Sequence, residues 1–159
     1  MKNKVKFAAL LFTVMLGGCS EKVTVEPAVT MDIFKSPTCG CCNDWIDHLE
    51  SAEYSVNVHN MDDLRELKAE QGILPKYTSC HTALTAEGYV FEGHVPVKYI
   101  EQFLAEKPAD AIGLSVPGMP VGSPGMEMDN RFQPYQVLLL KADGSHQVYA
   151  SVRSPEDQY

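Results

Sequence analysis

Ser36-Pro37-Thr38-Cys39-Gly40-Cys41-Cys42-Asn43-Asp44-Trp45-Ile46-Asp47-His48-Leu49 decides how this chain is read. A short apolar strand over residues 31–35 precedes it and is cut off by Ser36-Pro37. Thr38 then stands where a helix N-cap is preferred, and Cys42, Trp45, Ile46 and Leu49 recur at helical spacing. Three thiols therefore gather at a strand-to-helix junction, Cys39 and Cys42 among them in Cys-x-x-Cys spacing. Unpaired amides and the dipole at a helix N-terminus stabilise thiolate. Reversible disulfide exchange and capture of a soft cation both use that arrangement. The extra Cys41 favours metal, because exchange needs only an attacking and a resolving sulfur. The structural alternative is a permanent Cys39–Cys42 or Cys42–Cys80 disulfide, which leaves Cys41 with a single remaining partner.

Outward from this stretch, residues 54–59 alternate as a strand, and Asp62 or Asp63 caps a helix carrying Leu64 and Leu67 that Gly72 ends. Residues 78–85 and 89–94 flank Glu87-Gly88 as a β-hairpin. Pro96 occupies a first helical position, and Val97, Ile100, Phe103 and Leu104 give that helix a buried face up to Pro108. The order β-α-β-α-β-β-α, with cysteines at the first junction, is thioredoxin-like. Residues 116–132 form a loop built on glycine and proline in which Pro-Gly-Met occurs twice, supplying Met119 and Met126, with Met128 just beyond. Residues 135–141 and 146–152 close the chain as a hairpin around Asp143-Gly144. The expected fold class is thus α/β: a thioredoxin-like single domain with a Gly/Pro/Met-rich loop and an extra C-terminal β-hairpin.

The first eighteen residues read as a leader. Lys2, Lys4 and Lys6 precede a ten-residue apolar run, too short for the roughly 20 residues of a membrane span. Leu16-Gly17-Gly18-Cys19 resembles a bacterial lipoprotein signal, with cleavage before Cys19 and lipid on its sulfur. The domains expected are a signal peptide over 1–18, a tether over 19–30 and a thioredoxin-like metal-binding domain over 31–159. The expected location is the periplasm, on a lipid anchor in the outer membrane, since Ser20 is not the aspartate that marks inner-membrane retention. Loss of the three leader lysines moves the formal charge from −8 to −11, which offers no electrostatic footprint for nucleic acid. In an oxidising compartment the four thiols left after lipidation must be in disulfides, cycling or metal-held.

Cys80-His81 enters the third strand, which in a thioredoxin-like fold runs beside the Cys-x-x-Cys helix. Alternation sends the two side chains to opposite faces of a regular strand, so both become ligands only if one lies in an irregular turn. His94 follows Gly93 at a strand end, where glycine permits close backbone approach, and is a candidate ligand. His48, His59 and His146 read as ordinary surface residues. Thioether suits Cu(I) and has little use for Zn(II). Methionines beside cysteine and histidine in an exported chain therefore raise copper above zinc, although methionine is also a common gap-filler. A structural zinc finger lacks its second Cys-x-x-Cys or paired histidines.

Four blocks of sequence, in this order, closely resemble the bacterial CopG copper-resistance family, the exported thioredoxin-like proteins and not the ribbon-helix-helix repressors. They are Ser36–Cys42 with Trp45; Ser79-Cys80-His81-Thr82; Glu92-Gly93-His94-Val95-Pro96; and Val116–Glu127 with its two Pro-Gly-Met repeats. The resemblance covers residues 31–152. It implies a thioredoxin-like periplasmic protein in which cysteines bridge more than one copper ion. Carried to matching positions, Cys39, Cys42 and Cys80 are thiolate ligands, Cys41 a fourth, and His94, Met119 and Met126 additional ligands. Four thiolates on a single Cu(I) would be excessive in charge and coordination, so several Cu(I) ions per chain in a cysteine-bridged cluster are expected. Thiolates also reduce Cu(II), which opens interconversion of Cu(I) and Cu(II), while turnover as an enzyme stays undecided. The expected partners are copper ions and other envelope copper-handling proteins. A thiol–disulfide oxidoreductase using Cys39 and Cys42, or a copper chaperone, is the alternative, and the roles of Cys41, His81 and Met128 stay open.

Overall fold

The alternation of residues 31–35 produces β1 (Thr30–Lys35), which turns Met31, Ile33 and Lys35 inward. The computed structural model describes residues 29–159, so the leader, Cys19 and the tether up to residue 28 lie outside the described residues. Helix α1 (Gly40–Glu50) buries the expected Cys42, Trp45, Ile46 and Leu49. It carries the chain across to β2 (Ser55–Asn60), which pairs parallel with β1, Ile33 opposite Val58. A short α2 (Arg65–Glu70) and a 3-10 turn (Pro75–Tyr77) lead to β3 (His81–Thr85). Strand β3 runs antiparallel to β1, with His81 opposite Lys35, and forms the hairpin with β4 (Val90–Glu92).

Helix α3 (Val97–Glu106) then crosses to β5 (Ala111–Ser115), parallel to β4. The C-terminal hairpin of β6 (Tyr135–Lys141) and β7 (His146–Val152) extends the sheet, giving the order β2-β1-β3-β4-β5-β6-β7. The expected element order is therefore present in one mixed α/β sheet. The larger core lies between the sheet and α1 and α3: Met31, Ile33, Phe91, Leu114 and Val137 meet Trp45, Leu49, Ile100 and Phe103. On the other face, Ile73 and Tyr77 pack against Val90, Leu138 and Leu140.

Several local expectations are corrected. The N-cap position of α1 falls on Cys39, not Thr38, and no side chain caps it. The preceding turn closes on itself instead: Cys39 N–H donates to Ser36 O (3.1 Å), and the Ser36 and Thr38 hydroxyls meet at 3.1 Å. Helix α2 begins one residue after Leu64; Asp63 Oδ1 accepts from Arg65 N (2.9 Å) in a turn before it. Pro96 is the N-cap of α3 and Val97 its first residue. His48 is half-buried, and its Nε2 accepts the otherwise orphaned Val97 N–H at 3.2 Å. Strand β5 had no forerunner in the sequence reading: a five-residue run with Gly113 at its centre and a register bulge carries little strand signal. Among the described residues no helix is long and apolar enough to cross a membrane.

Candidate metal centre

All four cysteines of the described chain converge. The sulfurs of Cys39, Cys41, Cys42 and Cys80 lie within 4.8 Å of one another. The N-cap and first turn of α1 supply the first three, and the strand register β1–β3 brings the fourth to the same end of the sheet. Cys39 and Cys42 are joined as a disulfide, whereas Cys41 and Cys80 are free thiols. Cys41 Sγ stands 3.7 Å from Cys39 Sγ.

Cys80 belongs to a second convergence as well. Its sulfur lies 3.2 Å from His81 Nδ1 and 3.2 Å from His94 Nε2. The alternation problem is solved by irregular backbone: β3 starts only at His81, so Cys80 precedes the pleat and both side chains turn the same way. His94 is fully buried, and its Nδ1–H donates to Pro124 O at 2.7 Å. That bond places the proton on Nδ1 and leaves the Nε2 lone pair facing Cys80. His81 is fully buried between neighbours, 4.4 Å from the Trp45 ring and 4.9 Å from the His94 ring by centroid. Its Nε2 is the one buried side-chain nitrogen or oxygen without a partner among the described residues. Trp45 is held in turn by its indole N–H on Val95 O, 2.9 Å.

The surroundings set the protonation states. Burial pushes the Cys80 thiol up to about 11, and the adjacent Cys41 adds to the rise. Burial also holds His94 below the ordinary histidine value, opposed by the Pro124 carbonyl and by Glu127 and Asp44. His81 lies well below it, from burial first and then the neighbouring His94 and Lys68 charges. The apo site therefore carries neutral imidazoles and a protonated Cys80 at neutral pH, and a cation loading it displaces the thiol proton.

The methionine loop is seated on both sides of the cluster. At its first Pro-Gly-Met, Gly118 N–H donates to Thr78 O (3.2 Å), and Ser79 Oγ donates to Gly118 O, immediately before Cys80. At its second, Pro124 O takes the His94 proton, and Gly125 approaches α1 so closely that a Cβ there would lie 2.8 Å from Cys41 O and 2.6 Å from Trp45 N. Met119 is exposed and Met126 half-buried, while Met128 is exposed beyond the seated turns. Gly93 meets its expectation too: a Cβ there would strike Ser79 and Val116 O. His59 and His146 stay on the surface, in bonds to Asp32 Oδ1 (2.8 Å) and the Tyr77 hydroxyl (2.9 Å).

Sequence reasoning passed over Lys68 and Glu92, whose buried ion pair grips the chain around Cys80. Only the motif Glu92-Gly93-His94 hinted at it, and nothing marked Lys68. It likewise left open His81, which the tertiary packing puts against the Cys80 sulfur.

A soft cation fits these donors: four sulfurs in one group, and the Cys80 sulfur with two imidazole nitrogens in the other, with the buried Trp45 ring against His81. With the Cys39–Cys42 disulfide closed, only Cys41 and Cys80 remain as thiols, so full use of the cluster requires its reduction.

A family model described as "Protein of unknown function, DUF411" matches residues 77–126, the span that holds Cys80, His81, His94, Met119 and Met126. Two solved structures are similar over most of the chain. "Copper resistance protein copG- Form 2" shares 39% identity, with 80% of this chain and 100% of that chain covered and a TM-score of 0.75. "Copper resistance protein copG- Form 1" shares 41% identity, with 79% and 98% covered and a TM-score of 0.73. A comparison with curated proteins finds no match.

Proposed function

The chain belongs to the CopG copper-resistance protein family, and from that premise we propose that it binds Cu(I) as a multinuclear cluster bridged by Cys39, Cys41, Cys42 and Cys80. The observation that carries this reading is the meeting of four sulfurs within 4.8 Å, with Cys80 shared by His81 and His94. One Cu(I) needs two or three soft donors, so four sulfurs this close are economical only when they bridge several ions. His94 Nε2 is the nitrogen ligand best prepared, because Pro124 O fixes its tautomer. Met119 and Met126 close the site from the loop as neutral thioether donors. The test is titration of the anaerobically reduced protein with Cu(I), counting bound metal per chain and thiols left reactive. Several coppers with all four thiols protected is the expected result; one copper held by two sulfurs would sink the cluster.

The Cys39–Cys42 disulfide supports a second layer, thiol redox chemistry. Oxidation of the two thiols to the disulfide releases two electrons and two protons, enough to reduce two Cu(II) to Cu(I). The same disulfide favours the alternative of a thiol–disulfide oxidoreductase acting on proteins. An insulin-reduction assay separates them, since robust activity abolished by copper would favour the oxidoreductase. The leader and Cys19 complete the reading: they attach the protein by lipid to the periplasmic side of the outer membrane, from which copper passes to other envelope proteins. Metabolic labelling with a fatty acid, lost in Cys19→Ala, tests the anchor.

A further inference from the structure

Ser79, Cys80, His81 and Thr82 hang on one buried carboxylate. Glu92 is fully buried; its Oε1 accepts from Ser79 N–H (2.6 Å) and its Oε2 from Thr82 Oγ1 (2.6 Å). One oxygen thus holds the residue before the Cys80-His81 pair and the other holds the residue after it. Lys68, also buried, donates from Nζ to Glu92 Oε1 and to Ser79 O (3.2 Å). Ser79 lies in irregular backbone ahead of β3, so its N–H and C=O lack ladder partners, and the ion pair satisfies both.

The main chain beside Glu92 ties in the rest of the site. Glu92 O accepts from Val116 N–H (2.9 Å), and Gly93 N–H donates to His81 O (3.0 Å). His94 follows, and Ser79 Oγ reaches Gly118 O at the turn before Met119. A buried ion pair is a weak source of stability, because desolvation offsets the Coulomb attraction. Its position, with both members on Ser79, the residue that precedes Cys80, is what needs explaining.

We propose that Glu92, held by Lys68, is the positioning residue of the metal centre: it clamps Cys80 and His81 in an irregular stretch that would otherwise relax into the strand pleat. The proposal rests on the copper reading above, so its test includes a measure made without copper. The paired variant Lys68→Met with Glu92→Gln removes both charges while keeping side-chain volume, and Thr82→Val removes one bond of the clamp alone. Two quantities are measured on the full chain. The first is Cu(I) affinity by chelator competition. The second, on metal-free protein with the Cys39–Cys42 disulfide closed, is the effective concentration of Cys41 toward Cys80, read from disulfide formation in glutathione buffers.

The paired variant is expected to lose about 10–100-fold in copper affinity, the usual cost of removing a partner behind a ligand, with a fall of about tenfold or more in effective concentration. Thr82→Val moves both in the same direction by less. A folded paired variant, or a folded Thr82→Val, that leaves the effective concentration unchanged overturns the clamp, even if copper binding weakens. If the paired variant does not fold, Thr82→Val alone decides by the same criterion. Should the wild-type protein hold no copper while the variants still lower the effective concentration, the clamp stands and the copper reading fails.

Discussion

Gly125→Ala is the substitution that tests the seating of the methionine loop on the cysteine helix. Gly125 has φ +80°, in the left-handed region that costs an L residue about 1–2 kcal/mol. Its added Cβ would lie 2.6 Å from Trp45 N, 2.8 Å from Cys41 O and 3.1 Å from Asp44 C. All three are backbone atoms of α1, so no side chain can swing away, and overpacking of this kind costs about 1–3 kcal/mol. The sum is about 2–5 kcal/mol, or a fall in Tm of about 6–20 °C for a domain of this size. Gly40→Ala is the internal control. It sits at the start of the same helix with nothing within 4 Å of its added Cβ, and an alanine there stabilises by about 0.5–1 kcal/mol. Urea unfolding of the reduced protein measures both, and copper transfer to a competing chelator reports whether the loop has lifted. Gly125→Ala should also release copper faster while the thiol count stays unchanged. A Gly125→Ala protein as stable as Gly40→Ala, with unaltered copper release, would refute the close approach of loop to helix.

Cys80→Ser removes the only side chain common to both ligand groups. It should cost about tenfold or more in Cu(I) affinity, as loss of a soft thiolate does, and still leave the Cys39–Cys42 disulfide able to form; wild-type affinity would take Cys80 out of the site. His48 makes stability pH-dependent. Burial lowers its folded value below the ordinary 6.5, opposed by Glu127, and its neutral Nε2 accepts the Val97 N–H. A depressed histidine contributes stability that is complete above the unfolded value and is lost as pH falls from about 6.5 toward the folded one. His81 and His94 shift in the same direction, so the difference between wild type and His48→Gln isolates this histidine. The urea midpoint should drop less from pH 7.5 to 5.5 in His48→Gln, and equal drops would remove His48 from the account.

Much of the architecture was legible because periodicity is a local signal. Cys42, Trp45, Ile46 and Leu49 marked one helix face, and Asp143-Gly144 marked the C-terminal hairpin, both as observed. What escaped notice depended on long-range partners. Strand β5 exists because β4 and β6 pair with it on either side, not because Ala111–Ser115 favours a strand. Thr38 looks like a cap until Ser36 takes up its hydroxyl, and His48 looks exposed until α3 arrives above it.

The site divides along the same line. The amino-acid sequence by itself determined which chemistries the protein can command: four soft thiolates, two imidazoles near one strand end, and thioethers on a stiff loop, a donor set for copper. Their number and type are properties of residues and need no fold. Only the tertiary structure decided that Cys39 pairs with Cys42, that Cys80 sits between two histidines, and that Lys68 and Glu92 grip the peptide beside it. The histidine and ion-pair contacts join groups as far as 14 and 24 residues apart, which strand register and the burial of polar backbone impose and no local pattern encodes.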